Sequence, residues 1–267
     1  MSELVFLKLG GSLITDKGQE ATAHPEVIQR LAQEVKSALA ARPDLRLLIG
    51  HGSGSFGHVL AHRYHIHTGC ADWQGYAATG AAASRLNRLV TDFFLAEDVP
   101  VVSLQPSASA CCRNGQLLEM AVAPIQAALS HGLVPLVYGD VSFDEAQGSS
   151  IISTEQIFSH LAGILSPERI ILAGEVDGVF TADPGLDVGA CLIPDISRHN
   201  IDEIKGMLSG SSVVDVTGGM LSKVLMMFQL VRQRPSLTVH LISGLRPGWV
   251  QRALQERSFR EGTLLHW

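Results

Sequence analysis

The sequence predicts an α/β fold, a three-layer αβα sandwich around a mostly parallel central sheet. Short apolar runs alternate with longer segments of helical periodicity, and the runs are apolar throughout instead of alternating with polar residues. Parallel strands that are covered on both faces have this pattern, because neither face meets water. A chain of 267 residues, 46% of them hydrophobic, can also bury a large core. We therefore expect a single domain over residues 1–267, with two joined lobes at about 1–165 and 166–267.

Six apolar runs are predicted as strands, at residues 4–9, 45–49, 99–104, 133–138, 169–173 and 237–242. Helical patterns are predicted at about 25–41, 57–65, 75–97, 122–130, 154–165, 199–208, 218–233 and 247–256. Two more segments predict hairpins. One is an Asn114-Gly115 turn between short apolar runs, and the other is residues 144–149, between Val141 and Ile151. We expect the hairpins to cover the substrate end of the sheet.

Charge and cysteine content argue against several classes of protein. The net charge of −6 is atypical of a nucleic-acid-binding protein. No run approaches the roughly 20 apolar residues that a membrane span needs, and the first residues lack the basic start and cleavage site of a signal peptide. The cysteines form neither a CxxC pair nor a zinc pattern, which is typical of free thiols in the cytoplasm: Cys70, Cys111, Cys112 and Cys191. We therefore expect a cytoplasmic protein.

The first glycine loop follows the first predicted strand and reads Lys8-Leu9-Gly10-Gly11-Ser12. Two glycines allow a sharp turn that presents backbone N–H groups to an anion. Lys8 stands at the end of a strand, where ligands of open α/β sheets gather, and Lys17 follows soon after. Alone, a glycine pair after a strand is an ordinary tight turn.

The second loop, residues 51–58, reads HGSGSFGH and contains GxGxxG from Gly52 to Gly57. This pattern occurs in dinucleotide-binding folds, but no apolar strand leads to Asp72, which stands at the spacing of the ribose-binding acid. A dinucleotide-dependent oxidoreductase is therefore a distant alternative. His58 closes the loop at a helix start, where an imidazole can donate to phosphate. The His58 and His62 pair lacks a third ligand for zinc, so we predict phosphate recognition and no metal site.

The third loop, residues 215–223, reads DVTGGMLSK and places Gly219 at the start of a helix with Lys223 one turn in. No Walker motif and no protein-kinase motifs occur. Phosphoryl transfer requires positioning and charge neutralisation more than covalent chemistry, and three glycine loops with lysine or histidine provide both. The combination predicts an ATP-dependent kinase. A nucleotide-binding sensor without catalysis is an alternative from another class.

The loops also carry a family resemblance. With Gly139-Asp140 and the segment VDGVFTADP at 176–184, the chain resembles the amino acid kinase superfamily over about residues 4 to 266. Within it, the sequence SFGH that ends at His58 is similar to isopentenyl phosphate kinases, which make isopentenyl diphosphate from isopentenyl phosphate and ATP. Fosfomycin kinases share parts of the pattern, so a fosfomycin-type or other small-acid kinase is the alternative of the same fold.

The resemblance implies ATP with Mg²⁺, a homodimer, an acceptor-binding N-terminal lobe and a nucleotide-binding C-terminal lobe. The residues that it implies for ATP are Lys8, Gly10, Gly11, Ser12, Ser53, Asp177, Gly219 and Lys223. Those implied for the acceptor are Gly52, Gly57, His58 and Thr154. The catalytic set implied is Lys8, Lys17, His58 and Asp140, with Lys17 on the transferred phosphoryl group and Asp140 orienting the lysines.

The chain departs from the family pattern at three places. Ser53 stands where the family usually has glycine, Gly174-Glu175 replaces Thr-Asp, and residues 153–156 read STEQ instead of a small-residue and acidic run. The departures bear on nucleotide contacts and acceptor preference. They do not bear on the reaction, in which an acceptor phosphate oxygen attacks the γ-phosphorus and needs no general base. Magnesium would be held mainly by the ATP phosphates.

Overall fold

The computed structural model describes residues 2–66, 72–209 and 219–267. The strands are β1 (Leu4–Leu9), β2 (Arg46–His51), β3 (Val101–Ser103), β4 (Cys111–Arg113), β5 (Gln116–Glu119), β6 (Val134–Tyr138), β7 (Asp140–Asp144), β8 (Gly148–Ile152), β9 (Arg169–Gly174), β10 (Val179–Phe180), β11 (Leu192–Ile193), β12 (Asp195–Ile196), β13 (Thr238–Ser243) and β14 (Thr263–Leu265). The helices are α1 (Gly11–Ile14), α2 (Pro25–Ala41), α3 (Gly54–Arg63), α4 (Trp73–Ala96), α5 (Ala123–Ser130), α6 (Thr154–Leu165), α7 (Ile201–Ser209), α8 (Gly219–Gln233) and α9 (Trp249–Gln255). None of these helices is long and apolar enough to cross a membrane.

The main sheet has eight strands in the order β12-β14-β13-β9-β1-β2-β6-β3. Every neighbouring pair is parallel except β13 and β14. All six predicted strands lie in this sheet, with β1 at its middle. The prediction of a mostly parallel sheet is confirmed.

Successive residues of β1 point to opposite faces of the sheet, and each face has its own apolar core. Leu4 and Phe6 pack with residues of α5, α6, α7 and α8. Leu7 and Leu9 pack on the other face with residues of α1, α2, α4 and α9. Because β1 is buried on both faces, all of its residues are apolar except Lys8. The two cores confirm the three-layer sandwich.

A smaller sheet has four strands in the order β5-β4-β7-β8, and its strand β7 begins directly after β6 and Gly139. Both predicted hairpins are present: β4 and β5 flank Asn114-Gly115, and β7 and β8 flank the 144–149 segment. Asp144 joins them, because its carboxylate accepts from the N–H groups of Asn114 and Gly115 in one turn and of Gln147 in the other. Burial would raise the pKa of Asp144, but these hydrogen bonds outweigh it and lower the pKa.

The N-terminus of α9 is capped by a carboxylate from another helix. Glu34 of α2 is buried and accepts from the N–H groups of Gly248, Val250 and Gln251 at 3.0, 3.1 and 3.2 Å. Gly248 has no side chain that could cap the helix itself. Glu34 therefore ties α2 to α9 across the outer layer.

The other end of α9 is held by arginines that share one buried carboxylate. Arg169 donates to the carbonyls of Ala253 and Leu254. Arg42 and Arg169 both pair with Glu3, at 3.1 and 2.8 Å, and Arg257 adds a third contact at 3.2 Å. Glu3, next to β1, thus connects α2, β9 and the C-terminal segment.

Candidate functional site

The candidate site lies at the edge of the main sheet where β1, β2 and β9 end. The N–H of Gly10 donates to the Ala173 carbonyl of β9 at 2.8 Å, and the N–H of Gly52 donates to the Leu9 carbonyl of β1 at 3.1 Å. The first two glycine loops therefore leave the sheet side by side, at the edge where parallel α/β folds bind their ligands.

The two loops pack against each other backbone to backbone, and we call residues 10–11 and 52–54 the glycine platform. A Cβ atom at Gly11 would lie 2.6 Å from the Gly54 nitrogen, and one at Gly52 would lie 2.8 Å from the Gly11 nitrogen. Both distances are too short for a side chain, so only glycine fits at either position. Gly54 also begins α3 with a positive φ of 49°. The helix predicted at about 57–65 is α3, which starts three residues earlier, at Gly54.

Thr15 holds the two loops of the platform together. Its side chain is completely buried; its hydroxyl donates to the Gly11 carbonyl at 2.8 Å and accepts from the Ser55 N–H at 3.0 Å. This one hydroxyl bridges both loops. Sequence reasoning did not identify Thr15, because a threonine in a short loop has no distinctive pattern around it.

Glu155 lies between two of the predicted lysines. The Lys8 ammonium is 3.1 Å from Oε1 of Glu155, and the Lys223 ammonium is 4.0 Å from the same oxygen. Burial would raise the pKa of Glu155, but the charges of Lys8 and Lys223 outweigh it and lower the pKa. The carboxylate is therefore ionised and organises two cations at the edge of the sheet.

Sequence reasoning missed Glu155 as a site residue. A signal was present: Ser153 and Gln156 form a capping box that starts α6 and places Glu155 in its first turn. The neighbouring Thr154, predicted to contact substrate, is buried and donates its hydroxyl to the His51 carbonyl at 2.6 Å. Contact of Thr154 with substrate stays a prediction.

His51, at the end of β2, was also missed. Its ring stacks on Tyr138 at 5.5 Å, and its Nδ1 lies 2.9 Å from the Gly52 carbonyl. Its Nε2 lies 3.1 Å from the side-chain nitrogen of Asn87 in α4. A carbonyl only accepts and an amide nitrogen donates, so Nδ1 carries the proton. Burial lowers the pKa of His51 to about 4, so the ring is neutral and supports the platform without adding charge.

A small pocket opens beside the platform between α3, α4 and the small sheet. Its polar side holds Ser53, Gly57, His58 and Asp140, all four of them predicted site residues. The rest of its lining is Gly139 together with small or apolar side chains, which are Ala61, Thr79, Ala83, Val141 and Ile151. The structure thus brings His58 and Asp140, 82 residues apart in the sequence, to one cavity.

Asp140 is buried in this pocket. Its carboxylate accepts from the N–H groups of Ser107 at 3.1 Å and Val141 at 2.9 Å. Burial raises its pKa although those hydrogen bonds act against the shift. Within the described residues, the ion pairs of Lys8 and Lys17 are with other carboxylates. The orientation of lysines by Asp140 stays a prediction.

Lys17 extends from the loop after α1 and meets Glu175 at the end of β9, with 2.9 Å between the ammonium and Oε2. The two side chains are 71% and 41% exposed, so this pair faces water, unlike the Lys8 pair. Ser12, partly exposed in α1, lies between the platform and this loop along the chain. Lys17 is therefore at the predicted edge of the sheet.

The remaining predicted nucleotide residues lie toward β9 and α8. Asp177 holds Arg246 through two hydrogen bonds, 3.0 and 2.8 Å long. Gly219 begins α8 with a positive φ of 61°, which a glycine tolerates without strain.

Residues 215–218 of the third glycine loop, like Cys70, lie outside the described residues. No group of three histidine, cysteine or acidic side chains that would hold a metal ion occurs in the part of the chain that the structure describes.

The model of the amino acid kinase family matches residues 3–243, which is most of the chain. The chain belongs to the amino acid kinase family. Membership confirms the predicted fold and the predicted class of phosphotransferase. The glycine platform and the Lys8–Glu155–Lys223 cluster of this amino acid kinase thus lie in a fold whose members transfer phosphoryl groups.

The proteins that are similar to this chain include isopentenyl phosphate kinases. It is 36% identical to the isopentenyl phosphate kinase of Methanothermobacter thermautotrophicus, over 94% of this chain and 95% of that one. It is 34% identical to the isopentenyl phosphate kinase of Methanocaldococcus jannaschii, over 83% of this chain and 85% of that one. An X-ray structure of isopentenyl phosphate kinase superposes with a TM-score of 0.84 at 33% identity, covering 98% of this chain and all of that one.

Proposed function

We propose that this amino acid kinase transfers the γ-phosphoryl group of ATP to isopentenyl phosphate, giving isopentenyl diphosphate. Relatives at 36% and 34% identity that bear the name isopentenyl phosphate kinase support this function. The observation that carries it is the pocket in which His58 and the second glycine loop face a wall of small and apolar side chains. Such a pocket suits an acceptor that has a phosphate at one end and a short hydrocarbon at the other.

The nucleotide side of the site is the edge formed by β1, β9 and α8. Backbone N–H groups of the platform and the ammonium groups of Lys8 and Lys223 fit the phosphates of ATP. Glu155 holds both ammonium groups, so their positions are set before the nucleotide binds. Lys17, nearer to solvent, would follow the phosphoryl group as it moves.

The acceptor side is the pocket itself. His58, in the first turns of α3, would bind the acceptor phosphate, which the positive end of the helix dipole also favours. A phosphate monoester is already an anionic nucleophile, so no side chain has to remove a proton from it. In-line transfer then depends on holding two phosphates together against their repulsion, and the flanking lysines supply the charge for this.

The apolar wall would hold the hydrocarbon. Thr79 and Ala83 belong to α4, and Val141 and Ile151 belong to β7 and β8. Apolar side chains on two sides of a hydrocarbon remove its surface from water, which favours its binding. Magnesium would be carried by the phosphates of ATP and would neutralise their charge. The lobe roles, a homodimer and a cytoplasmic location are part of the same proposal.

An ATP-consumption assay over several acceptors tests the function. The panel contains isopentenyl phosphate, dimethylallyl phosphate, fosfomycin, glutamate and aspartate, each with ATP and Mg²⁺. We expect isopentenyl phosphate to give the highest kcat/KM, with the diphosphate identified by mass spectrometry. Preferred turnover of fosfomycin or an amino acid would replace the proposed acceptor. NADH binding without ATP turnover would indicate an oxidoreductase, and ATP binding without any product would indicate a sensor.

A further inference from the structure

We propose that Glu175 is a positioning residue, which holds the Lys17 ammonium at the catalytic edge before ATP binds. The inference rests on the proposed function, because it concerns how one of the proposed catalytic lysines is placed. Glu175 touches neither substrate in this proposal and acts through Lys17 alone. The ion pair between them measures 2.9 Å.

The loop that carries Lys17 does not by itself fix the ammonium. Residues 16–22 leave the edge after Thr15 and return at Ala23, where the two backbones form an isolated bridge. The N–H of Asp16 donates to the Thr22 carbonyl at 2.9 Å, so the base of the loop is fixed. The Lys17 side chain is 71% exposed and has four rotatable carbons, so it would spend much time in solvent without a partner.

Glu175 supplies that partner from a rigid position. The preceding Gly174 carbonyl accepts from the Gly244 N–H at 2.8 Å, and the Glu175 carbonyl accepts from the Ser243 hydroxyl at 3.3 Å. Gly10 of the platform lies directly alongside, since a Cβ there would be 3.6 Å from the Gly174 Cα. The backbone of Glu175 is therefore anchored beside the turn at Gly10, and its side chain starts from a fixed point.

The exposure of this pair explains why it can position Lys17 without trapping it. The Lys8 pair is buried, whereas the Lys17 pair is open to solvent, where an ion pair adds little free energy. An ammonium group has three N–H donors, so Lys17 can donate to an arriving phosphate while Glu175 still holds it. Glu175 thus keeps Lys17 close to its working position while the nucleotide is bound.

Steady-state kinetics on four variants test the inference. We expect Glu175→Gln to lower kcat about three- to fivefold, as the loss of one exposed ion pair allows, with KM for isopentenyl phosphate unchanged. Lys17→Ala should lower kcat further. The double variant Lys17→Ala/Glu175→Gln should equal Lys17→Ala, because Glu175 has no route to the reaction other than Lys17. Glu175→Asp keeps the charge and should recover part of the loss.

The matched control is Asp98→Asn, which removes the Lys36–Asp98 pair of the same 2.9 Å length at the opposite edge of the sheet. It should leave kcat unchanged. Normal turnover in Glu175→Gln, an effect that adds to that of Lys17→Ala, or tighter ATP binding with unchanged kcat would each overturn the inference. The last of these would make Glu175 a competitor of ATP.

A second readout does not depend on the acceptor. Acetylation of lysines by acetic anhydride, followed by mass spectrometry, reports how often the Lys17 amine is free of its partner. We expect faster labelling of Lys17 in Glu175→Gln than in the wild type, with Lys36 unchanged. Equal labelling of Lys17 in both proteins contradicts the inference. If the wild type fails to phosphorylate isopentenyl phosphate but the labelling differs, only the proposed function fails.

Discussion

Two lysine ammonium groups would repel each other at the edge of the sheet if Glu155 did not lie between them. A single carboxylate oxygen contacts Lys8 at 3.1 Å and Lys223 at 4.0 Å. Lys8 is itself buried, so its charge depends on a partner of opposite sign. At the scale of single residues, the site is therefore a set of cations paired with acids, Lys8 and Lys223 with Glu155 and Lys17 with Glu175.

Glu155→Gln should lower kcat by about 10- to 100-fold, because two positive charges lose the group that places them. Glutamine keeps the size and the start of α6, so the fold should survive. The measurement is steady-state kinetics together with a thermal unfolding curve. Glu155→Asp, which keeps the charge, should recover activity in part. Full activity in Glu155→Gln would show that the lysines do not require the carboxylate.

His58→Ala should raise KM for isopentenyl phosphate about tenfold and leave KM for ATP unchanged, because one charge-assisted hydrogen bond to the acceptor phosphate is lost. The matched control is His62→Ala, which removes an exposed histidine one turn along α3. Initial rates over both substrates give the two constants. An increase confined to KM for ATP would contradict the place of His58 in the pocket.

Local patterns explain which site residues the sequence reveals. Lys8 and the glycines follow apolar strands, and a glycine pair after a strand is visible within a few residues. Thr15 and His51 have no such pattern, since the groups that define them, Ser55 and Asn87, are 40 and 36 residues away. The chemistry of a site is therefore easier to predict than the hydrogen bonds that hold it in place.

The elements around the site depend on side chains from distant elements. Helix α9 has only seven residues, too short for stability on its own, and its N-terminus is capped by Glu34 of α2. The sequence predicted α9 from its pattern, but not this cap, because Glu34 is 214 residues away from Gly248 in the sequence and looks like one more polar residue of α2. All the predicted helices exist, and α2 and α6 have the predicted ends.

Glu34→Ala should lower the free energy of unfolding by about 3 kcal/mol, because three backbone N–H groups at a helix start lose a charged acceptor. Urea unfolding followed by circular dichroism measures the change. Glu26→Ala, at an exposed position in the first turn of the same helix, is the control and should change stability by under about 0.5 kcal/mol. Equal effects of the two substitutions would show that the cap is not stabilising.

At the scale of the whole molecule, Glu3 joins the centre of the sheet to the outer layer. Burial would raise its pKa, but contacts with Arg169, Arg42 and Arg257 outweigh this and lower the pKa from its ordinary value of 4.5. Several arginines thus converge on one buried acid beside β1. The network connects segments from both ends of the chain, and its strength depends on pH.

Stability should fall as the pH is lowered from 4.5 toward the folded pKa of Glu3. Above 4.5 the carboxylate is charged in the folded and unfolded chains and the network contributes fully. Below pH 4.5, Glu3 binds a proton in the unfolded chain before it does so in the folded chain. The stabilisation by the network is therefore lost as the pH drops through the pKa of Glu3 in the folded protein. Glu3→Gln should show a shallower decline between pH 5 and about pH 3 in urea unfolding. Parallel curves for both proteins would rule out Glu3 as a source of the dependence.

The division between the glycine platform and the apolar wall has an evolutionary consequence. The platform is held backbone to backbone and accepts no side chain at Gly11 or Gly52. The wall is built from Val141 and Ile151 on the small sheet and Thr79 on α4, where side chains of other sizes leave the platform untouched. Under the proposed function, substitutions in the wall change the space offered to the acceptor and leave the packing of Gly11 and Gly52 as it is. Acceptor preference and the platform would then vary independently.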